Sequence, residues 1–200
     1  MKIIIIGGKG TVGSAVVKEL SPRHEILIAG RSSSDLPCDI TSEDSIRAMY
    51  KKAGKIDAVV IASGSYAFHD FSEMTSDKYY VGLNDKLMGQ VNTVLIGREY
   101  ISDGGSFTLT SGIIGHDPIR GGTSATMVNR AIEGFVVASA IEMPRNLRIN
   151  VVCASVLKEA MEKYAKYFRG FNPVPAATVA LAYSKSVEGL QTGQVYKVFG

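Results

Sequence analysis

The stretch that most constrains the fold is Gly7-Gly8-Lys9-Gly10-Thr11-Val12-Gly13. It lies directly between a β-branched run, Lys2–Ile6, and a segment with helical apolar spacing, Thr11–Leu20 (Val12, Val16, Val17, Leu20), which Pro22 closes. The run reads as a buried strand and the segment as a helix. The glycines match G-x-G-x-x-G at Gly8, Gly10 and Gly13, and G-x-x-G-x-x-G at Gly7, Gly10 and Gly13. In a strand–turn–helix context, such glycines let backbone approach a pyrophosphate while the helix N-terminus offers its free N–H groups. A phosphate loop of the Gly-Lys-Ser/Thr kind is absent.

The rest of the chain alternates strand and helix. Glu25–Ala29 and Cys38–Ile40 read as strands, and Thr41 or Ser42 caps a helix running to Ala53. Ile56–Ala62 is a strand, and a long helical pattern covers Ser76 to Tyr100. Strand Ser106–Thr110, helix Thr123–Glu142 and strand Leu147–Cys153 follow. Two short helices, Lys158–Phe168 and Pro175–Ser186, precede a last strand, Gly193–Phe199. This order predicts a single α/β domain over residues 1–200: a Rossmann-like, doubly wound parallel sheet with helices on both faces, three layers deep. One link strains the pattern. Only about seven residues separate Ala29 from the Pro37–Ile40 piece, fewer than a parallel crossover normally takes, so its helix is a stub or its strand is marginal.

Composition narrows the functional classes. With 22 Lys and Arg against 19 Asp and Glu, the net charge is only +3, and no basic block stands out. The densest basic stretch, Lys158–Lys166, is interrupted by Glu159 and Glu162, and reads as the solvated face of a helix. A nucleic-acid partner is therefore not expected. No apolar run reaches membrane-spanning length, and the N-terminus does not resemble a signal peptide. Cys38 and Cys153 form no CxxC or His/Cys motif, so no zinc site is expected. Two reduced, buried thiols and a cytoplasmic location are the expectation.

The end of the second strand bears on the choice of dinucleotide. A site for NAD places an acid there to hold the ribose hydroxyls. This chain has Arg31, followed by Ser32, Ser33 and Ser34. A guanidinium pairs with a 2′-phosphate that a carboxylate would repel. NADP(H) is the predicted cofactor, and Lys9 can add a second cation.

Six landmarks in order resemble the short-chain dehydrogenase/reductase superfamily over nearly the whole length. They are the glycine turn; Asp39-Ile40; Asp57-Ala58-Val59-Val60-Ile61-Ala62-Ser63-Gly64; Leu109-Thr110-Ser111-Gly112; Leu147–Val152; and Thr192-Gly193-Gln194-Val195. The resemblance implies an oxidoreductase acting on a small carbonyl or alcohol. It implies cofactor contacts from Gly7, Lys9, Gly10, Thr11, Val12, Gly13, Arg31, Ser32, Asp39, Ile40, Ala62, Ser63 and Gly64, and a catalytic Ser111. It also implies a homodimer or homotetramer built on the two long helices, which carry surplus apolar residues at Met88, Ile96, Met127 and Val137.

The chain departs from the family at its chemical centre. The tyrosine and lysine of the Y-x-x-x-K motif fall on Ala125 and Asn129, and no Tyr or Lys lies anywhere in Thr123–Arg130. The family's fourth-helix asparagine falls on Lys86, and the proline-glycine after the sixth strand becomes Ala154-Ser155. Lys86 can bring an ammonium to the pocket from the fourth helix instead of the fifth. A lysine buried there shifts its pKa readily and can act as a proton source. Tyr66, His69, His116 and Asp117 are further candidates for the missing proton donor. Three readings remain open from sequence: an NADP(H)-dependent oxidoreductase using Ser111 and Lys86, a cofactor-binding sensor or regulator with little turnover, and a degenerate fold with a structural role.

Overall fold

A computed structural model of the chain describes residues 1–31 and 35–200. The strands are β1 (Lys2–Ile6), β2 (Glu25–Gly30), β3 (Leu36–Pro37), β4 (Ile56–Ile61), β5 (Ile101–Thr110), β6 (Arg148–Ala154) and β7 (Val195–Val198). They form one parallel sheet in the order β3-β2-β1-β4-β5-β6-β7. β1 is central, flanked by β2 and β4, and its isoleucines are all buried. A strand covered on both faces must be apolar throughout. Ile4 and Ile6 enter one core and Ile3 and Ile5 the other, as a two-residue side-chain period requires.

Helices α1 (Thr11–Leu20) and α7 (Ala176–Glu188) cover one face. The other is covered by α2 (Glu43–Ala53), by the helical segment α3 (Ser76–Gly82) and α4 (Met88–Gly97), and by α5 (Thr123–Glu142). Ser42 caps α2 by accepting from the Ser45 N–H, with Glu43 and Asp44 in the first turn, where the helix dipole favours acids. The strand order reverses between β1 and β4. In sheets wound this way, ligands bind at the carboxyl ends of the strands around that point.

Several boundaries differ from the sequence reading. The third strand is Leu36–Pro37, paired with Ala29 and Gly30, rather than Cys38–Ile40. By Asp39 the chain is already turning: its carboxylate accepts from the Thr41 N–H at 3.0 Å and the Thr41 hydroxyl at 2.8 Å. The long helix is interrupted by a π turn, Leu83–Leu87, which carries Lys86, and ends at Gly97 instead of reaching Tyr100. β5 begins at Ile101 rather than Ser106, after a register shift against β4 between Ile56 and Ala58. The expected helix Lys158–Phe168 shrinks to a 3-10 turn, Lys158–Ala160, and one helical turn, α6 (Met161–Tyr164). Ile96 faces the core at 5% exposure, while Met88, Met127 and Val137 stay exposed.

Candidate active site

At the carboxyl edge of β1 and β2 lies a cleft of about 230 Å³. Gly7, Lys9, Gly10, Arg31, Asp39, Ile40, Ser63 and Gly64, all expected from the sequence to contact a cofactor, line it. Gly13 does not line it. A Cβ on Gly13 would stand 2.1 Å from the Gly7 carbonyl oxygen, so the turn closes here only on a glycine. Val12 lines a neighbouring pocket, and neither Thr11 nor Ala62 reaches the cleft wall. Ser32 lies outside the described residues. Ser65 and Asp85, which the sequence reading did not single out, line the cleft as well.

The turn delivers the chain into α1, whose first N–H groups have no acceptor within the helix. Exposed Lys9 and Arg31 stand on the rim. The Asp39 carboxyl is held below its ordinary value, first by the Thr41 N–H, then by the Thr41 hydroxyl, and, against the opposing effect of burial, by Arg31. Glycine backbone, a helix N-terminus and two cations make a cleft that fits a phosphorylated dinucleotide.

Beside it opens a more apolar pocket of about 360 Å³. Tyr66, Phe68, Ile113, Ile114, Leu157, Tyr164 and Phe168 make its walls. Lys86, Ser111 and Asn129 supply polar groups and are all buried. The cleft and the pocket meet where Gly64 passes Lys86. Gly64 has φ +124°, and a Cβ on it would fall 2.7 Å from Lys86 Cγ and 2.8 Å from its Cα. Only glycine allows that passage without displacing the lysine stem.

Lys86 is 7% exposed. Its Nζ donates to Asn129 Oδ1 at 2.9 Å and stands 5.0 Å from the centroid of the Tyr66 ring. Burial lowers its pKa to about 8. An ammonium can only donate, so it holds the Asn129 carbonyl toward itself and turns the amide nitrogen away. That nitrogen is buried and has no partner among the described residues. The same two residue types that the resemblance places on the fourth and fifth helices are thus both present, with their positions exchanged.

Ser111 sits at a firmly held strand end. Its N–H donates to the Val152 carbonyl at 3.0 Å. The preceding Thr110 exchanges two hydrogen bonds with the Gln90 side chain, at 2.9 and 3.0 Å. The Ser111 hydroxyl donates to Glu133 Oε1 at 2.8 Å. Glu133, buried on α5, escaped the sequence reading. Only its one-turn spacing from Asn129 could have placed it near the site.

Of the other candidates, Tyr66 lines the pocket, and burial, followed by nearby Tyr164, pushes its hydroxyl pKa up. His69 lies outside the pocket, in a separate depression with Arg120. Asp117 is exposed. His116 stands behind Ser111, its Nε2 2.8 Å from Glu133 Oε2. Although the sequence has no local ligand motif, the fold brings donor atoms of His116, Glu133 and Cys153 within 4.8 Å of one another. The Arg130 guanidinium already occupies this cluster, 3.3 Å from Glu133 Oε2.

Fold and cleft have the architecture of a dinucleotide-binding α/β protein. Residues 12–196 match the family model described as Enoyl-(Acyl carrier protein) reductase, and the chain belongs to the short-chain dehydrogenase/reductase superfamily. It is 50% identical to the protein lin1944 from Listeria innocua, with complete coverage of both chains and a TM-score of 0.98. A small-chain dehydrogenase in complex with NADPH shares the fold at 22% identity, with coverage of 99% and 96% and a TM-score of 0.88. So does a short-chain dehydrogenase/reductase from Brucella melitensis, at 14% identity, 98% and 94% coverage and a TM-score of 0.86. None of the curated proteins compared matches the sequence.

Proposed function

We propose that the protein is an NADP(H)-dependent reductase of small, largely apolar aldehydes or ketones. The observation that carries the reading is the Lys86–Asn129 pair: a buried ammonium and an unpartnered amide N–H on the wall of an apolar pocket. A buried donor with no acceptor costs about 1–3 kcal/mol, a cost removed when a ligand oxygen arrives. NADPH supplies the hydride when bound. Gly7, Gly10 and the α1 N-terminus hold its phosphates, and Arg31 favours the 2′-phosphate. Lys86 places positive charge on the developing alkoxide, and Asn129 Nδ2 donates to the same oxygen. In a site closed by Tyr66, Phe68, Tyr164 and Phe168, such fixed donors contribute several kcal/mol. Ser111 touches the reacting oxygen from the β5 side.

The test is NADPH oxidation with a panel of aliphatic and aromatic carbonyls, including cyclohexanone, benzaldehyde and acetophenone. Consumption that depends on a panel member supports the reading. Thermal stabilisation by NADPH with no consumption by any member would favour a cofactor-binding regulator instead.

The reading includes self-association and a cytoplasmic setting. Exposed Tyr80, Val81, Met88 and Leu95 on α3 and α4, and Met127, Val137 and Ile141 on α5, support a two-fold interface between copies. Sedimentation at micromolar concentration is expected to give a dimer or tetramer; a monomer would contradict it. Cys38 and Cys153 are both buried and free, as a reducing compartment permits. Among the described residues, no helix is long and apolar enough to cross a membrane.

A further inference from the structure

Carbonyl reduction consumes one proton per turnover. The chain lacks the tyrosine that the family resemblance would charge with delivering it, and Lys86 lies buried away from bulk water. A second line of groups runs from the pocket outward. Ser111 Oγ lines the pocket and stands 2.8 Å from Glu133 Oε1. The other carboxylate oxygen, Oε2, stands 2.8 Å from His116 Nε2. The His116 side chain is 21% exposed, and that of Glu133 only 6%. The carboxylate is thus a buried bridge, with one oxygen committed to the pocket and the other to the surface.

Arg130 lies against the histidine ring. Its Nη1 is 3.1 Å from His116 Nδ1 and 3.4 Å from Nε2. The ring passes a proton inward in its protonated form, in which both nitrogens carry a hydrogen. The Arg130 side chain is 56% exposed and also donates to Glu133 Oε2 at 3.3 Å. Other neighbours add little charge. Burial, above all, pushes the Cys153 thiol on β6 up to about 12, so it stays neutral against Ser111 and Glu133. Lys197 on β7 lowers the Cys153 pKa through its charge, a smaller effect than burial, and Phe199 packs its ring against His116.

We infer that His116, Glu133 and Ser111 form a proton path from solvent to the substrate oxygen. The inference rests on the reductase reading. As the carbonyl carbon takes the hydride, the C=O π pair moves to oxygen. The Ser111 O–H bond breaks and the product O–H bond forms. Ser111 oxygen takes the proton of protonated Glu133, Glu133 takes one from the His116 imidazolium, and the neutral ring is protonated again by water before the next turnover. The net change is one proton from solvent per carbonyl reduced. In the resting state, Ser111 donates to the Glu133 carboxylate. Once Glu133 is protonated it donates in the opposite direction, and the serine hydrogen turns to the pocket. Lys86 keeps its own part, holding charge on the oxygen while the proton arrives.

The experiment measures single-turnover reduction of whichever panel carbonyl the wild-type protein reduces fastest, with saturating NADPH, across pH and in H2O and D2O. Glu133→Gln keeps the volume and hydrogen-bonding groups but cannot pass a proton. It is expected to slow reduction about 10²-fold or more, the usual cost of a lost acid, with NADPH affinity unchanged. His116→Ala, on the rim, is expected to slow reduction comparably and to recover when imidazole is added. A merely structural histidine would show no such rescue. Both variants should lose the wild-type pH dependence and change the solvent isotope effect. Wild-type rates and isotope effects in both variants, with Lys86→Met inactive, would overturn the path and leave the reductase reading standing. No carbonyl-dependent oxidation by the wild type would overturn both.

Discussion

The cleft at the β1–α1 turn is made of backbone, whereas the pocket beside it is made of side chains. In the cleft, the requirements are steric. Gly13 leaves no room for a Cβ against Gly7, and Gly64 leaves none against Lys86. Such demands write themselves into contiguous sequence, because only one residue type meets them. The pocket presents Lys86 on the π turn, Ser111 after β5 and Asn129 on α5, with Glu133 behind Ser111. Their chemistry depends on which groups end up facing one another, so an ammonium and an amide can trade helices and still meet at 2.9 Å. The cleft keeps its pattern for this reason, while the pocket can be rewritten within the same fold.

The comparison can be broken first at the turn. Gly13→Ala puts a methyl 2.1 Å from a backbone oxygen that cannot move aside. It is expected to cost at least about 3 kcal/mol and abolish stabilisation by NADPH, read as denaturant midpoint and thermal shift. Wild-type stability with wild-type NADPH binding would mean that the turn is not built on that contact.

Gly64→Ala acts at the seam. It strains a φ of +124° and pushes on the Lys86 stem. Reduction is expected to fall about 10²-fold, since misplacing a reacting group by about 1 Å costs that much. NADPH binding should weaken far less. Equal losses in both would show that the cleft and pocket are not separable at this point.

Arg31→Asp is the mildest change. It exchanges a cation at the cleft rim for a carboxylate that repels a 2′-phosphate and suits free ribose hydroxyls. At equal concentrations, the larger thermal shift is expected to pass from NADPH to NADH. At 100 times its dissociation constant, a ligand stabilises by about 2.7 kcal/mol, so a tenfold change in affinity is readable. A wild-type protein that NADH stabilises more than NADPH would reverse the assignment.

The fold was legible because its signals are local and redundant. Ile3 to Ile6 announce a doubly covered strand, and β1, α1 and α5 fall on their expected residues. Boundaries slipped where tertiary contacts override local pattern. The Asp39–Thr41 turn ends β3 early, and the π turn around Lys86 leaves no mark in apolar spacing. Within the site, Ser111 could be named because the landmark Leu109–Gly112 fixes its position, and Lys86 because it lies three residues before Gly89, where the resembled family places its asparagine. Glu133 could not, because a glutamate on a helix reads as solvent-facing until the fold buries it against Ser111. His116 was named as one candidate among several, and only its distance to Glu133 sets it apart from His69.

The central claim is that a buried, charged Lys86 is kept for chemistry at the expense of stability. Its pKa falls from 10.5 unfolded to about 8 folded. Between those pH values the unfolded chain binds more protons, so stability rises with pH, and below about 8 the fold carries the whole penalty, up to about 3 kcal/mol. Lys86→Met removes that penalty while stranding Asn129 Oδ1, an offset of about 1–3 kcal/mol. The measurement is single-turnover hydride transfer by Lys86→Met at saturating NADPH, paired with its unfolding free energy from pH 7 to 10.5. The account predicts reduction slowed by about 10² to 10⁴-fold, unchanged NADPH affinity, stability at pH 7 no lower than wild type, and no rise in stability above pH 8. Hydride transfer at the wild-type rate, with stability lost and its pH slope intact, would contradict it.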